Sequence, residues 1–511
     1  MRIFTTEQMK TMERMSDEMG VAYGRLMENA GSAAAAFIRK TFDVKGRNVM
    51  VFCGSGNNGG DGFVVSRKLT ENGANVITVL CGGQPKTAQA MEAYANDVKI
   101  GLSMFDYSAD RKAVHEYLGT ADIIVDALFG TGFHGALEPP YDEIAAAVNG
   151  AIAAVVSLDI PSGVNASTGE ADPGSVRPDF TVAFDCLKPG HLILPGREFC
   201  GKTTAVDIGL PVEVTDQVKQ TCLCVDDVIV FGTLKKRPLF SNKGTFGKLL
   251  CFCGSPRYPG AAAVSALAAL RAGVGLVTLA TGASVASSLC SGLYEATYLP
   301  LPQSADGTVS AEGGPALLAA LTRSSACLAG CGLGQGEDTR GLVEALIQGA
   351  VCPLVLDADA LNAIADEPEV LLEAKAPVIL TPHMGEMARL AKKTIPELVS
   401  ARLDAARDFA AKYHVVLVLK DAVTVIAEPH GDVYFNPTGN PGLAKGGSGD
   451  CLAGIIASFA AQGVKPVAAA VCGAYLHGAA ADRCAAEKSQ YGMLPVELLR
   501  YLCEIFVENG R

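Results

Sequence analysis

The sequence predicts an α/β protein of two successive domains, each built on a parallel sheet. Three observations predict it. Short apolar runs alternate with helix-patterned segments along the chain, the signature of parallel strands joined by crossover helices. Hydrophobic residues are 49% and charged residues 19% of 511, enough apolar material for two sizeable cores and far from a disordered composition. Part of the glycine complement of 56 is concentrated in two strings, Gly54 to Gly62 and Gly439 to Gly449, each opening into a helical pattern.

In chain order, Glu7 to Ile38 reads as helical, with Met9, Met12, Leu26 and Met27 apolar among polar residues. Asn48 to Cys53 reads as a strand, Gly62 to Asn72 as a helix, and Asn75 to Cys81, Ile123 to Ala127 and Ala154 to Leu158 as further strands. The polar segment Glu213 to Gln220 follows Pro211 and is the expected boundary, giving domains 1–220 and 221–511. A second series then begins. Lys248 to Cys253 is a strand, Ala261 to Ala272 a helix and Gly275 to Thr281 a strand. Ala326 to Ala329, Pro353 to Leu356, Pro377 to Leu380 and Val415 to Leu419 are further strands, and a long helical region runs from Gly449 through Ala481. No repeat of fixed period links the two halves, so they read as unrelated domains in one chain.

Composition narrows the partners. A net charge of −12 and the absence of tryptophan argue against a nucleic-acid partner, which needs a basic footprint and aromatic platforms. A nucleotide remains compatible, because backbone N–H groups bind phosphate on an acidic protein. The 16 cysteines are scattered without a C-x-x-C, and Met1 to Glu7 lacks the apolar stretch of a signal peptide, so reduced, buried thiols in a cytoplasmic protein are expected. Cys222-x-Cys224 and Cys251-x-Cys253 fit alternating strand positions. No uncharged apolar run reaches a membrane span of roughly 18 residues, so no membrane is expected as a partner. A homo-oligomer is expected.

The first constellation is Cys53-Gly54-Ser55-Gly56-Asn57-Asn58-Gly59-Gly60-Asp61-Gly62, between a strand and a helix. Glycines let the backbone approach a ligand closely, and a helix N-terminus offers free N–H groups to a phosphate. A plain strand-to-helix turn needs no such density of glycine, asparagine and aspartate. Two more loops follow strands, Asp126-Ala127-Leu128-Phe129-Gly130-Thr131-Gly132 and Asp159-Ile160-Pro161-Ser162-Gly163. Ligands gather at such strand ends in open α/β sheets. Asn58, Asp126 and Ser162 supply oxygen donors suited to a hard cation, although each alone is more often a cap or turn residue.

This half resembles the YjeF N-terminal family, the NAD(P)H-hydrate epimerases, over residues 1 to about 215, most specifically in Asn57 to Gly62. The resemblance implies a Rossmann-like three-layer domain. It implies substrate contacts from Asn57, Asn58, Gly59, Gly60 and Asp61, and from Gly130, Thr131, Gly132, Phe133, His134, Gly135 and Ala136. It also implies a K⁺ held by Asn58, Asp126 and Ser162, with Asp159 as catalytic acid/base and substrate contact and Lys188 assisting. Asp61 could simply cap the helix and is not read as catalytic.

The second constellation is Gly439-Asn440-Pro441-Gly442-Leu443-Ala444-Lys445-Gly446-Gly447-Ser448-Gly449-Asp450. Gly446 to Gly449 would turn backbone N–H groups toward phosphoryl charge at a helix N-terminus, with Asp450 beside them to take a proton from a substrate hydroxyl. The plainer reading of Asp450 is a helix cap. With Asn242-Lys243-Gly244-Thr245-Phe246-Gly247, Gly332-Leu333-Gly334, Asp357-Ala358-Asp359, Thr381-Pro382-His383-Met384-Gly385-Glu386 and Lys420-Asp421-Ala422-Val423-Thr424, this half resembles the ribokinase superfamily. More narrowly it resembles the ADP-dependent NAD(P)H-hydrate dehydratases, from about Val225 to the end. The resemblance implies a ribokinase-like α/β domain. Its hydrated nicotinamide nucleotide would meet Ala261, Gly334, His383 and Asp450, and its nucleotide would meet Lys420, Asp421, Ala422, Val423, Thr424 and Gly449. Mg²⁺ is implied with ADP. Asp357 and Asp359 would either hold it through water or cap turns.

Together these resemblances imply a bifunctional enzyme that interconverts the epimers of NADHX or NADPHX and dehydrates the S epimer to NAD(P)H, turning ADP into AMP and phosphate. The alternative is a ribokinase-superfamily small-molecule kinase fused to a non-catalytic nucleotide-binding module, which would leave a stable phosphorylated product.

Overall fold

The computed structural model describes residues 2–511, which divide into two compact units between Cys222 and Leu223. The first unit opens with a short strand, β1 (Arg2–Ile3), and two helices, Thr6–Glu18 and Tyr23–Thr41. The single helical run expected over Glu7 to Ile38 is therefore interrupted. Met19 ends the first helix and Gly20 turns the backbone at φ 93°, a conformation glycine adopts without a Cβ penalty. Thr5 and Gln8 close a capping box on the first helix.

Seven strands follow, β2 (Asn48–Cys53), β3 (Asn75–Leu80), β4 (Ser103–Asp106), β5 (Ile123–Ala127), β6 (Ala154–Leu158), β7 (Phe180–Phe184) and β8 (Lys202–Val206). They pair in parallel in the order β4-β3-β2-β5-β6-β7-β8. Both faces are covered. Val49, Val51 and Cys53 of β2 enter one apolar core with Met12, Ile38 and Phe63, whereas Met50 and Phe52 enter the other with Val79, Ile124 and Ile144. Alternate residues thus bury on opposite faces, and the strand reads as an unbroken apolar run. The chain moves from β2 toward β4, then crosses to β5. The loops after β2 and β5 therefore diverge and leave a crevice at the carboxyl ends of the strands.

The second unit carries β10 (Lys248–Phe252), β11 (Leu276–Gly282), β12 (Thr297–Leu301), β13 (Ala326–Ala329), β14 (Leu354–Leu356), β15 (Val378–Leu380), β16 (Val416–Leu419), β17 (Thr424–Ala427) and β18 (Val433–Asn436); β9 (Cys222–Cys224) spans the boundary. Their order is β12-β11-β10-β13-β14-β15-β16-β17-β18, parallel through β16 and antiparallel beyond it. The helices Pro259–Arg271, Ser448–Ala461, Pro466–Gly492 and Leu498–Glu508 share one apolar core with the sheet through Ala266, Ile455, Ala470 and Leu502. Here too a long helical region is two helices, separated by Gly463 at φ 83° and restarted by Pro466 at a first-turn position. Among the described residues every cysteine is a free thiol, and no helix is long and apolar enough to cross a membrane.

Candidate active sites

The glycine string after β2 exists because backbone passes against backbone there. A Cβ on Gly54 would lie 1.9 Å from the Leu128 carbonyl oxygen, and one on Gly59 would lie 1.9 Å from that of Gly54. The helix starts inside the string, at Asn57, not at Gly62 as the sequence suggests. Its N-cap is Gly56, with no side-chain cap, so first-turn N–H groups stay available. Asp61 therefore does not cap this helix.

Asp159 follows β6 at φ 62°, in the left-handed region that aspartate tolerates better than most residues. Lys188 Nζ donates to Asp159 Oδ1 at 2.7 Å, to the Phe184 carbonyl at 2.8 Å and to the Cys186 carbonyl at 3.2 Å, which uses all three protons of the ammonium. Lys188 is 1% exposed. Burial pulls its pKa down, but Asp159 and the neighbouring acids outweigh burial and hold it above the ordinary lysine value. His191 completes the unit. Its Nδ1 accepts from the Lys188 backbone N–H at 2.9 Å, so Nε2 carries the proton and donates to the Asp159 carbonyl at 2.7 Å. Burial, and after it the Lys188 charge, push its pKa down to about 4, so it is a neutral strut. Sequence reasoning missed His191. Its spacing of three from Lys188, in Lys188-Pro189-Gly190-His191, is the signal that could have found it.

Asp126, Ser162 and Asn58 do converge. Asp126 Oδ1 accepts from the Ser162 hydroxyl at 2.6 Å, and Oδ2 accepts from Ser162 N at 2.9 Å and the Ser157 hydroxyl at 2.7 Å. Burial raises the Asp126 carboxyl above the usual range, and these hydrogen bonds oppose it. Asn58 Nδ2 donates to the carbonyls of Phe129 and Leu158, while Asn58 Oδ1 is buried with no hydrogen-bond partner. A buried amide oxygen left bare, on a side chain that shares the Phe129 carbonyl with Ser162, is what a hard cation satisfies.

A cavity of about 520 Å³ opens at the crevice, lined by Asn57, Asn58, Asp61, Gly130 to Phe133, Asp159 and Lys188. Glu13 and Lys10 from the helix Thr6–Glu18 line it as well, and the sequence pointed to neither. Gly59 and Gly60 are buried in the helix and do not line it. His134, Gly135 and Ala136 are exposed, and His134 Nδ1 is 3.2 Å from Asn165 Nδ2.

In the second unit the loops after β13, β14, β15 and β16 meet the N-terminus of the helix Ser448–Ala461. Asp357 Oδ1 accepts from Lys420 Nζ and from Thr381 Oγ1, both at 2.8 Å. One potential ligand atom each from Cys331, Asp357 and Asp450 lies within 4.8 Å of the others. A Cβ on Gly449 would lie 3.3 Å from Lys420 Nζ, so the helix N-terminus sits directly over the lysine. Burial, followed by the Asp357 charge, pushes the Asp450 carboxyl up to about 6. Lys420 is lowered by burial but raised more by Asp357 and Glu386, and stays an ammonium.

The other predicted residues divide by role. Gly334, at φ 85°, donates its N–H to Asp359 Oδ2 at 2.9 Å, so Asp359 shapes that turn. Ala261 lies in the first turn of Pro259–Arg271, close enough that a Cβ on Gly332 would come within 2.9 Å of its own. His383 is the N-cap of Met384–Ala391. Its Nδ1 accepts from Gly385 N at 3.0 Å while 56% of its side chain is exposed. Asp421 is paired with the buried Arg402 at 2.7 Å, and Val423 is buried, so the hairpin from Lys420 to Thr424 offers a ligand mainly backbone and Lys420. Ser448 Oγ and His477 Nε2, both unpredicted, are buried without partners, and burial pushes His477 down to about 4.

Ala358, between the two aspartates, holds φ 48° and ψ −113°, a conformation an L side chain resists. Replacing it with glycine removes about 1 to 3 kcal/mol of strain and adds about 0.5 to 1 kcal/mol of unfolded-state entropy. Ala358→Gly is therefore expected to stabilise the second unit by about 1 kcal/mol in denaturant titrations, and Ala358→Val to destabilise it.

Residues 24–190 match the family described as YjeF-related protein N-terminus, and residues 249–504 match the family described as NAD(P)H-hydrate dehydratase. A bifunctional NAD(P)H-hydrate repair enzyme from Moorella thermoacetica is 38% identical over 98% of this chain and 96% of its own. A solved ribokinase-like superfamily protein from Enterococcus faecalis is 28% identical, with a TM-score of 0.50, over 57% of this chain and 97% of its own. An ADP/ATP-dependent NAD(P)H-hydrate dehydratase from Bacillus subtilis, co-crystallised with ATP and Mg²⁺, is 36% identical over 55% of this chain and 96% of its own, with a TM-score of 0.49.

Proposed function

The chain belongs to the bifunctional NAD(P)H-hydrate repair enzymes, and we propose that its two activities divide between residues 1–220, the epimerase, and 221–511, the dehydratase. It is an NAD(P)H-hydrate epimerase and dehydratase, acting on the hydrated nicotinamide nucleotides NADHX and NADPHX. The observation that carries the division is that each unit has its own buried carboxylate–lysine pair at the carboxyl ends of its strands, Asp159 with Lys188 and Asp357 with Lys420.

In the epimerase site the substrate's C6 hydroxyl sits next to the ring nitrogen, which can stabilise a cation once the hydroxyl has left as water. Asp159 moves the proton, and Lys188 and His191 hold its carboxylate and backbone in place. Asn58, Asp126 and Ser162 would hold K⁺, which would supply positive charge beside the buried Asp126 and satisfy Asn58 Oδ1. Exchange of K⁺ for a bulky organic cation is expected to lower the unfolding temperature of the first unit and slow epimerisation, with Asn58→Leu abolishing the thermal shift.

In the dehydratase site the poor leaving group, hydroxide, is converted to phosphate. Asp450 takes the C6 hydroxyl proton as that oxygen attacks the terminal phosphorus of ADP. The phosphorus–oxygen bond to AMP breaks, and phosphate then leaves C6 under the push of the ring nitrogen while C5 loses its proton. Lys420 and the N–H groups at Gly449 face the phosphoryl charge. Asp357, which shares a ligand cluster with Asp450, would hold Mg²⁺ through water, which would neutralise phosphate charge. A base must be ionised, so kcat is expected to fall about tenfold per pH unit below about 6, the value to which burial raises Asp450.

Mixed NADHX epimers incubated with the protein, ADP and Mg²⁺ should return fully to NADH, followed by its absorbance. Recovery of only half, with spontaneous epimerisation slow, removes the epimerase reading, and no recovery with ADP or ATP removes the dehydratase reading.

A further inference from the structure

The epimerase reading assigns a proton carrier to Asp159 and leaves Asp61 as a contact. Epimerisation makes a symmetrical demand. A hydroxyl leaves C6 from one face with a proton added, and water arrives on the opposite face with a proton removed. One fixed carboxyl group addresses one face well; two faces are served by two groups.

Asp61 has the required placement. It belongs to the helix that follows β2, whereas Asp159 follows β6, and β5 lies between those strands. The two carboxyl groups therefore line one cavity of about 520 Å³ from separate elements. Among the described residues no donor reaches the Asp61 carboxyl, although the residue is only 9% exposed, and the Gly56 cap shows that it has no helix-capping duty. Its oxygens open to the cavity, where a ligand can meet them. Its environment also separates the two acids. Burial, then Asp159, then Glu13 raise Asp61 well above the carboxylate range, and Lys188 opposes them. Asp159, by contrast, has Lys188 Nζ at 2.7 Å. The acid that burial favours as a proton donor and the acid that faces an ammonium are thus different residues, as a donor and an acceptor must be.

We propose that Asp61 is a second catalytic residue of the epimerase site, donating a proton to the C6 hydroxyl on one face while Asp159 accepts a proton from the water that adds to the other. In that direction the Asp61 O–H bond breaks, the C6–O bond breaks with its electron pair leaving in water, and the nitrogen lone pair forms the C6–N double bond. A second water then adds to C6 and passes its surplus proton to Asp159. The enzyme is left with Asp61 ionised and Asp159 protonated, the form that converts the opposite epimer. Proton exchange with solvent resets it. This proposal rests on the epimerase reading above.

The test uses one purified epimer and the full-length protein without ADP, so that the dehydratase is idle, with the epimers separated chromatographically. Asp61→Asn keeps the shape and removes the proton. It is expected to lower kcat at least about 100-fold, to leave KM within about threefold, and to abolish the alkaline limb of the wild-type pH profile. Asp61→Glu is expected to recover at least about tenfold over the amide. A raised KM with kcat intact, or a lowered kcat with the alkaline limb unchanged, overturns the proposal, as does a wild-type profile with no alkaline limb. Asp159→Asn, measured in parallel, separates the two ideas. Loss there with full activity in Asp61→Asn leaves the epimerase reading standing and removes this one, whereas a wild-type protein that interconverts no epimers removes the reading itself.

Discussion

Lys188→Met is expected to cost the first unit about 3 to 5 kcal/mol and to reduce epimerisation about 100-fold or more, while ADP-dependent dehydration of the S epimer continues. The stability cost follows from what the lysine leaves behind. Asp159 keeps its position through Phe184 N and the His191 strut, so its carboxylate stays buried at a left-handed backbone position with its cation gone. Removing one partner of a buried pair costs about that much because an uncompensated charge remains. The carbonyls of Phe184 and Cys186 lose a donor at the same time. Calorimetry should show the lower-temperature shift in one transition only, since the second unit has its own core. Asp159→Asn added to Lys188→Met removes the stranded charge and should recover part of the stability but none of the activity. Recovery of neither would mean that packing, not charge, holds this corner together.

Asp450→Asn is expected to abolish dehydration, by about 10²- to 10⁴-fold, without lowering thermal stability. The sign of the stability effect comes from the direction of the pKa. Asp450 is raised to about 6 by burial and by Asp357, so its ionised form is disfavoured in the folded state at neutral pH. An uncharged isostere relieves that conflict and loses only the proton acceptor. Full epimer interconversion with no NADH formed is the expected pattern. Dehydration within threefold of wild type would move the base elsewhere, to Asp357 first, the carboxylate with which Asp450 shares its ligand cluster.

Much of this molecule was legible in its amino acids. The two parallel sheets follow from strands whose alternate residues bury on both faces, as in Val49 to Cys53, and such strands read as apolar runs. Most of the strands that escaped the reading have reasons. β4, β8 and β12 lie at the sheet edges and are half-exposed and partly polar, β17 and β18 turn back on β16 as an antiparallel hairpin where the strand-helix alternation stops, and β7 is a buried apolar run that went unread. Helix breaks also escaped. A glycine at φ 93° and a proline restart interrupt helical patterns without interrupting the apolar spacing.

The sequence by itself determined the glycine strings, the acids at strand ends and the family they resemble, because motif chemistry is local: a backbone that must come within contact of another needs glycine at that position. Only the tertiary structure decided which charges meet. Lys188 and Asp159 lie 29 positions apart and Lys420 and Asp357 lie 63 apart, and each pair exists because parallel strands deliver their carboxyl ends to one edge of a sheet. The same packing makes His191 a neutral strut, leaves Asn58 Oδ1 bare, and holds Asp61 without a protein partner inside a cavity. Burial and neighbouring charge set those states, and both belong to the folded chain.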